Sequence, residues 1–188
     1  MERLARITAA AVATVLMHSA ASRATSLARM SVVELAHASD AIVRAKCISS
    51  AVRREEGEIW TFSEFQVEES WKGAADSRIT VRLLGGRLGE ITSHVSGVPR
   101  FQAGEDVVLF LQHAPRGTYS VVSWVQGTFR IHRDARTGAD TVTQDTATMP
   151  VFNPTTRQFE FDGIHNAPLI SFREQVRNPS LRDARGRP

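Results

Sequence analysis

Val107-Val108-Leu109-Phe110-Leu111 is an unbroken run of five apolar residues, entered through Gly104-Glu105-Asp106 after Pro99. A run this short and rich in β-formers predicts a strand covered on both faces. Elsewhere the pattern alternates. Ala41, Val43, Ala45 and Cys47 interleave with Ile42, Arg44, Lys46 and Ile48, predicting a strand with its small residues inward and Arg44 and Lys46 toward water. Ile79, Val81 and Leu83 interleave with Arg78, Thr80 and Arg82, and Phe129 and Ile131 flank Arg130. Thr137-Gly138 reads as a hairpin tip returning through Thr141-Val142-Thr143. Residues 59–71 predict a long strand with a conflict of register. Trp60 and Phe62 share one face, while Phe65, Val67 and Trp71 share the other. A β-bulge near Ser63-Glu64 would reconcile the two sets, and bulged long strands are how small barrels bend and close.

Helical signals are few. Ser31-Val32-Val33-Glu34 has capping-box form and predicts a two-turn helix with Val32, Leu35 and Ala36 facing the core and Asp40 at its end. Ser171-Phe172-Arg173-Glu174 repeats the form and predicts a helix opening there and running to about Arg177. Residues 145–166 are polar, with Pro150 and Pro154, and only Met149, Val151, Phe152, Phe159 and Phe161 serve as anchors. Irregular structure is expected there, with a short strand at 158–161. The pattern adds up to a mainly β fold: a small OB-like, partly open β-barrel of five or six strands, with a short N-terminal helix and an irregular C-terminal extension carrying a short helix. Its expected divisions are the barrel at 25–143, the extension at 144–178 and a disordered basic tail at 179–188.

The N-terminus changes the setting. Met1 to Arg6 is basic, residues 7–17 are apolar apart from Thr8 and Thr14, and residues 18–24 are rich in Ser and Ala. That order predicts a secretory signal peptide, cleaved after Ala24 or Ala21 and too short to span a bilayer. The expected location is therefore periplasmic or secreted, with no membrane span in the mature chain. No cysteine stands at the cleavage site to take a lipid. The 188 residues carry a net charge of +3, of which the segment before residue 25 holds +2, leaving about +1. Five arginines against Glu174 and Asp183 place +3 in residues 173–188, so the body is about −2. A basic terminus of this size solvates a frayed end, and nucleic acid is not an expected partner. The single cysteine, Cys47, excludes an internal disulfide and reads as a small buried hydrophobe.

Several motifs carry a resemblance over about residues 30 to 132. They are Ala38-Ser39-Asp40, Trp71-Lys72-Gly73, Gly85-Gly86, residues 97–105 (Gly-Val-Pro-Arg-Phe-Gln-Ala-Gly-Glu), Val108-Leu109-Phe110-Leu111 and Gln126-Gly127-Thr128-Phe129. In these the chain resembles a group of uncharacterised exported bacterial proteins, a kinship that implies export and no particular activity. The strand order and the Gly104-Glu105 strand are also similar to the OB-type barrel of tissue inhibitors of metalloproteinases and netrin modules. Those inhibitors set an N-terminal cysteine on the protease zinc. The predicted mature start here has none, so the resemblance implies the fold and not that mechanism.

Candidate chemistry is sparse. Gly85-Gly86-Arg87-Leu88-Gly89 lacks the Lys-Ser/Thr of a phosphate loop and reads as a flexible connection. None of the histidines left after signal removal (His37, His94, His113, His132, His165) has metal-ligand spacing, and no cofactor is expected. His94 with Ser96 is the one arrangement that resembles a hydrolase site, without a nucleophile elbow or orienting acid. Glu68 and Glu69 point to opposite faces of a strand, and Glu105 is assigned to turn amides. Trp60, Phe62 and Trp124 form a candidate aromatic strip, although a core role is favoured for each. The candidate binding loop comprises Arg87, His94, Arg100, Trp60 and Trp124. The expected function is a non-enzymatic exported binding module for a protein partner of unknown identity, such as a secreted or envelope protease. A secreted hydrolase or metal enzyme and a structural envelope component are the alternatives.

Overall fold

The computed structural model describes residues 27–148, 150–161 and 163–178; the predicted signal peptide, Met149 and the basic tail lie outside them. Helix α1 (Val32–Ala38) leads into β1 (Ala41–Glu55), β2 (Glu58–Lys72) and β3 (Arg78–Leu84). A small hairpin, β4 (Gly86–Leu88) and β5 (Ile91–Ser93), precedes β6 (Asp106–Ala114) and β7 (Thr118–Val121). Then come β8 (Thr128–Arg133), β9 (Asp140–Gln144), β10 (Val151–Asn153), β11 (Gln158–Glu160), β12 (Ala167–Pro168) and α2 (Leu169–Arg177).

The expected mainly β, OB-like architecture is present as a ring of five strands. Their order is β1-β2-β3-β7-β6, and β6 pairs back onto β1. The ring is weakest between β3 and β7, which meet in parallel at the single pair Val81 and Tyr119. β8, β9 and β12 continue the sheet beyond β6. Residues 107–111 are each 0% exposed, as a strand covered on both faces must be. Val107, Leu109 and Leu111 fill the ring with Val43, Cys47, Phe65 and Val81. Val108 and Phe110 face a second core with Leu35, Trp71, Phe129 and Phe172, closed by the two helices. The expected inward set of β1 and the capping box of α1 are both observed: Ser31 Oγ accepts from Glu34 N, and Glu34 Oε2 accepts from Ser31 N.

Four expectations need correction. The bulge expected near Ser63-Glu64 is carried by the partner strand β1, opposite Glu64-Phe65, while β2 itself pairs with β3 in unbroken register from Trp60 to Gln66. Trp60 and Phe62 lie on the face opposite Phe65, where the guanidiniums of Arg82 and Arg53 stand 3.9 and 3.6 Å over their rings. The pairing skips at Ile48 of β1 and at Glu68 and Trp71 of β2, so Trp71 leaves the Phe65 set and enters the second core. The connection 85–97 is the β4–β5 hairpin, held against the outer halves of β1 and β2. A Cβ on Gly86 would stand 2.7 Å from Thr61 Oγ1 and 2.8 Å from a Val52 methyl. Finally, α2 starts at Leu169 and not at Ser171, with no side-chain cap. Starting there sets Leu169, Phe172 and Val176 on one helical face, and burying that face outweighs a capping bond.

The extension packs on the sheet through two buried glutamines. Gln126 accepts from Met30 N and donates to Ala28 O, both at 2.8 Å, so its amide acts as a strand segment for the N-terminal chain. Gln144 Nε2 donates to Gln126 O at 2.6 Å, and its Oε1 accepts from Ile164 N. The short strand expected at 158–161 is β11, paired with β10. The entry to β1 and the exit from β2 lie tightly together: a Cβ on Gly73 (φ +68°) would lie 2.3 Å from Asp40 O. Gly73→Ala is therefore expected to lower stability by more than about 1 kcal/mol in urea unfolding, since both conformation and space exclude the methyl.

Candidate functional site

The two bulges in β2 build the site. Skipping at Glu68 and Trp71 turns the end of the strand so that Trp71 is nearly buried beneath α2 while Glu69 stands beside the helix. Glu69 Oε2 accepts from Trp71 Nε1 at 3.2 Å and from Arg173 Nη1 of α2 at 2.9 Å. Arg44, facing outward from β1, donates through Nη2 to Asp106 Oδ2 at 2.6 Å. It also lies 3.3 Å from Glu68 and 3.6 Å from Asp140. Its hydrogen bond to Asp106 leads the causes that hold the guanidinium above its ordinary pKa, against desolvation. Both arginines are thus fixed by carboxylates and not free to swing.

Between these pairs, α2 and the β9–β12 edge enclose a cleft of about 410 Å³. Its apolar surface comes from Trp71, Ala139, Pro168, Leu169 and Ile170, and its polar rim from Arg44 with Asp140 and Arg173 with Glu69. The volume lies within the ordinary range of ligand clefts. Ile170, part of its lining, is 67% exposed, one of the more exposed large hydrophobics among the described residues. Among the described residues no Ser, Thr, Cys, His or Lys lines the cleft, and each of its two carboxylates faces an arginine. The arrangement suits holding an apolar group, with both carboxylates of the cleft engaged by arginines.

The residues of the candidate binding loop are placed differently. Arg87 is exposed on β4 and donates to Gly89 O at 3.2 Å, while His94 is exposed just after β5. Arg100 is exposed, and its carbonyl accepts from Arg130 at 2.9 Å. Trp60 is half-buried beneath Arg82, and half-buried Trp124 opens a 3-10 turn tied to the loop by Val125 N donating to Gly97 O. No hydrogen bond, ion pair or ring contact joins any two of the five among the described residues. Phe62 is buried at 6% exposure, as its expected core role requires, while Trp60 and Trp124 are half-buried and none of the three joins the two main core clusters. His94 and Ser96 are both exposed, with no bond between them or to a carboxylate among the described residues. Glu105 does serve its turn, accepting from Gln102 N at 3.0 Å. Cys47 is 2% exposed, and burial pushes its thiol pKa up, which disfavours the reactive thiolate. No group of three or more His, Cys, Asp or Glu among the described residues is placed to hold a metal ion.

The α2 cleft was not among the residues that sequence patterns single out. Its signal is the Glu68-Glu69 doublet before Trp71, since adjacent carboxylates near a strand end accompany a bulge here. A scan of protein-family models finds no match to the chain, and a search of curated proteins finds none either.

Proposed function

We propose that the chain is an exported binding module that receives an apolar element of a protein partner in the α2 cleft. The observation that carries this reading is the cleft itself: an apolar lining, a rim whose charges neutralise each other, and exposed Ile170 within that lining. Such a surface gains affinity by excluding water from an apolar contact, with the paired rim setting orientation. The signal-peptide pattern before residue 25 supports export, as does the resemblance to exported bacterial proteins. The OB-like resemblance favours a secreted or envelope protease as the kind of partner. Immobilised protein of residues 25–188 tests the reading. Ile170→Glu should reduce capture of the principal partner at least about tenfold, and His94→Ala should leave it unchanged. The reverse pattern would contradict the reading. So would turnover of a hydrolase substrate that disappears in His94→Ala.

A further inference from the structure

A second, cationic hollow lies further along the same flank of α2. It measures about 200 Å³ and is lined by Ala36, His37, Trp71, Lys72, Val176 and Arg177. Trp71 therefore lines both spaces. A helical repeat of 3.6 residues brings Leu169, Ile170, Arg173, Val176 and Arg177 within about a third of the circumference of α2. The two spaces thus follow one another along a single groove. At 1.5 Å rise per residue, the level of Arg177 is about 8 Å beyond the middle of the cleft.

The electrostatics of the two spaces differ. The cleft is internally neutralised, whereas no carboxylate among the described residues lines the hollow. Lys72 Nζ donates to Ala36 O and Ser39 O, both at 2.6 Å, which fixes the ammonium in place and leaves its third hydrogen. Neither Lys72 nor Arg177 has a carboxylate partner among the described residues.

We infer that this groove recognises the free C-terminus of a polypeptide, with its carboxylate in the hollow and a large apolar side chain in the cleft. This rests on the binding-module reading and adds the chemistry of the bound segment. The terminal carboxylate meets Lys72 and Arg177, and the paired charges of the cleft rim flank the incoming backbone. The spacing of about 8 Å equals little more than two extended residues, so the apolar side chain belongs to one of the last three positions. An internal segment would bring a negative charge to the hollow only through an Asp or Glu side chain, whereas a free C-terminus always carries one.

Calorimetric titration of the protein of residues 25–188 with acetyl-Gly-Gly-Leu-Phe tests this, using the free acid and the C-terminal amide. The acid should bind at least about tenfold more tightly, the difference that a charge-assisted contact makes. Arg177→Gln should remove most of that difference, and Ile170→Glu should weaken both peptides. Equal binding of acid and amide would overturn the carboxylate assignment while leaving the apolar cleft standing. Binding of octanoate as tightly as the peptide acid would overturn the assignment to a polypeptide. If neither peptide bound, the inference would fall, and the capture experiment with Ile170→Glu would decide the binding-module reading separately.

Discussion

Replacing Phe172 with alanine is expected to cost about 3–5 kcal/mol of unfolding free energy, the range for a fully buried phenylalanine. Phe172 is 2% exposed and stands at the centre of the second core. Its ring centroid lies 4.6 Å from that of Phe129, 6.0 Å from Trp71 and 6.4 Å from Phe110. The other ties of α2 to the sheet are smaller: Val176 is buried, Leu169 is partly buried against the same core, and Arg173 is paired with Glu69. Losing Phe172 should therefore loosen the helix before it opens the ring, whose own core contains no residue of α2. Urea unfolding would record the loss of stability. Limited proteolysis should show earlier cleavage within 163–178 than within β1–β3. A loss below about 1 kcal/mol would mean that α2 is not docked in solution, and the cleft would lose one of its walls.

Arg130→Ala should be the next most damaging change, costing about 2–3 kcal/mol, between the values for exposed and fully buried ion pairs. The guanidinium donates to both Asp145 oxygens at 2.7 and 2.8 Å and to Arg100 O at 2.9 Å, and pairs with Glu105 at 2.7 Å. It ties β8 to the turn before β6 and to the start of the extension. Burial alone would lower its pKa, but Asp145 and Glu105 outweigh that and raise it, so the cation persists throughout the working pH range. Alanine removes the cation that Asp145 and Glu105 share. Asp145→Asn in the Arg130→Ala background should recover part of the loss, a coupling that a double-mutant cycle measures directly. Simple additivity of the two changes would argue against the shared network.

The parts of this fold that could be read from sequence are those set by period and punctuation. The five-residue run at Val107 required cover on both faces, and the alternation in β1 and β3 identified their inward residues. Ser31 and Glu34 marked the start of α1 because a capping box is a local device, independent of what packs nearby. The same motif misplaces the start of α2, where a tertiary demand prevails: Leu169 is gained for the packed face at the expense of a cap. The bulge is assigned to the wrong strand for a related reason. A change of face in β2 could be attributed to any step in the strand, and only the pairing with β3 shows that Trp60 and Phe62 face outward beneath arginines. The cleft was hidden because its walls come from residues 44, 69–71, 139–140 and 168–173, which no local pattern joins. The candidate loop drew attention through its glycines, which serve a tightly packed hairpin.

The most direct test of the binding surface is amide hydrogen exchange on the protein of residues 25–188, alone and bound to the partner it captures. Protection should concentrate in α2 and at residues 69–72, with the β4–β5 hairpin and His94 unchanged. Protection centred on residues 84–100, with α2 exchanging as in the free protein, would contradict the assignment of the site.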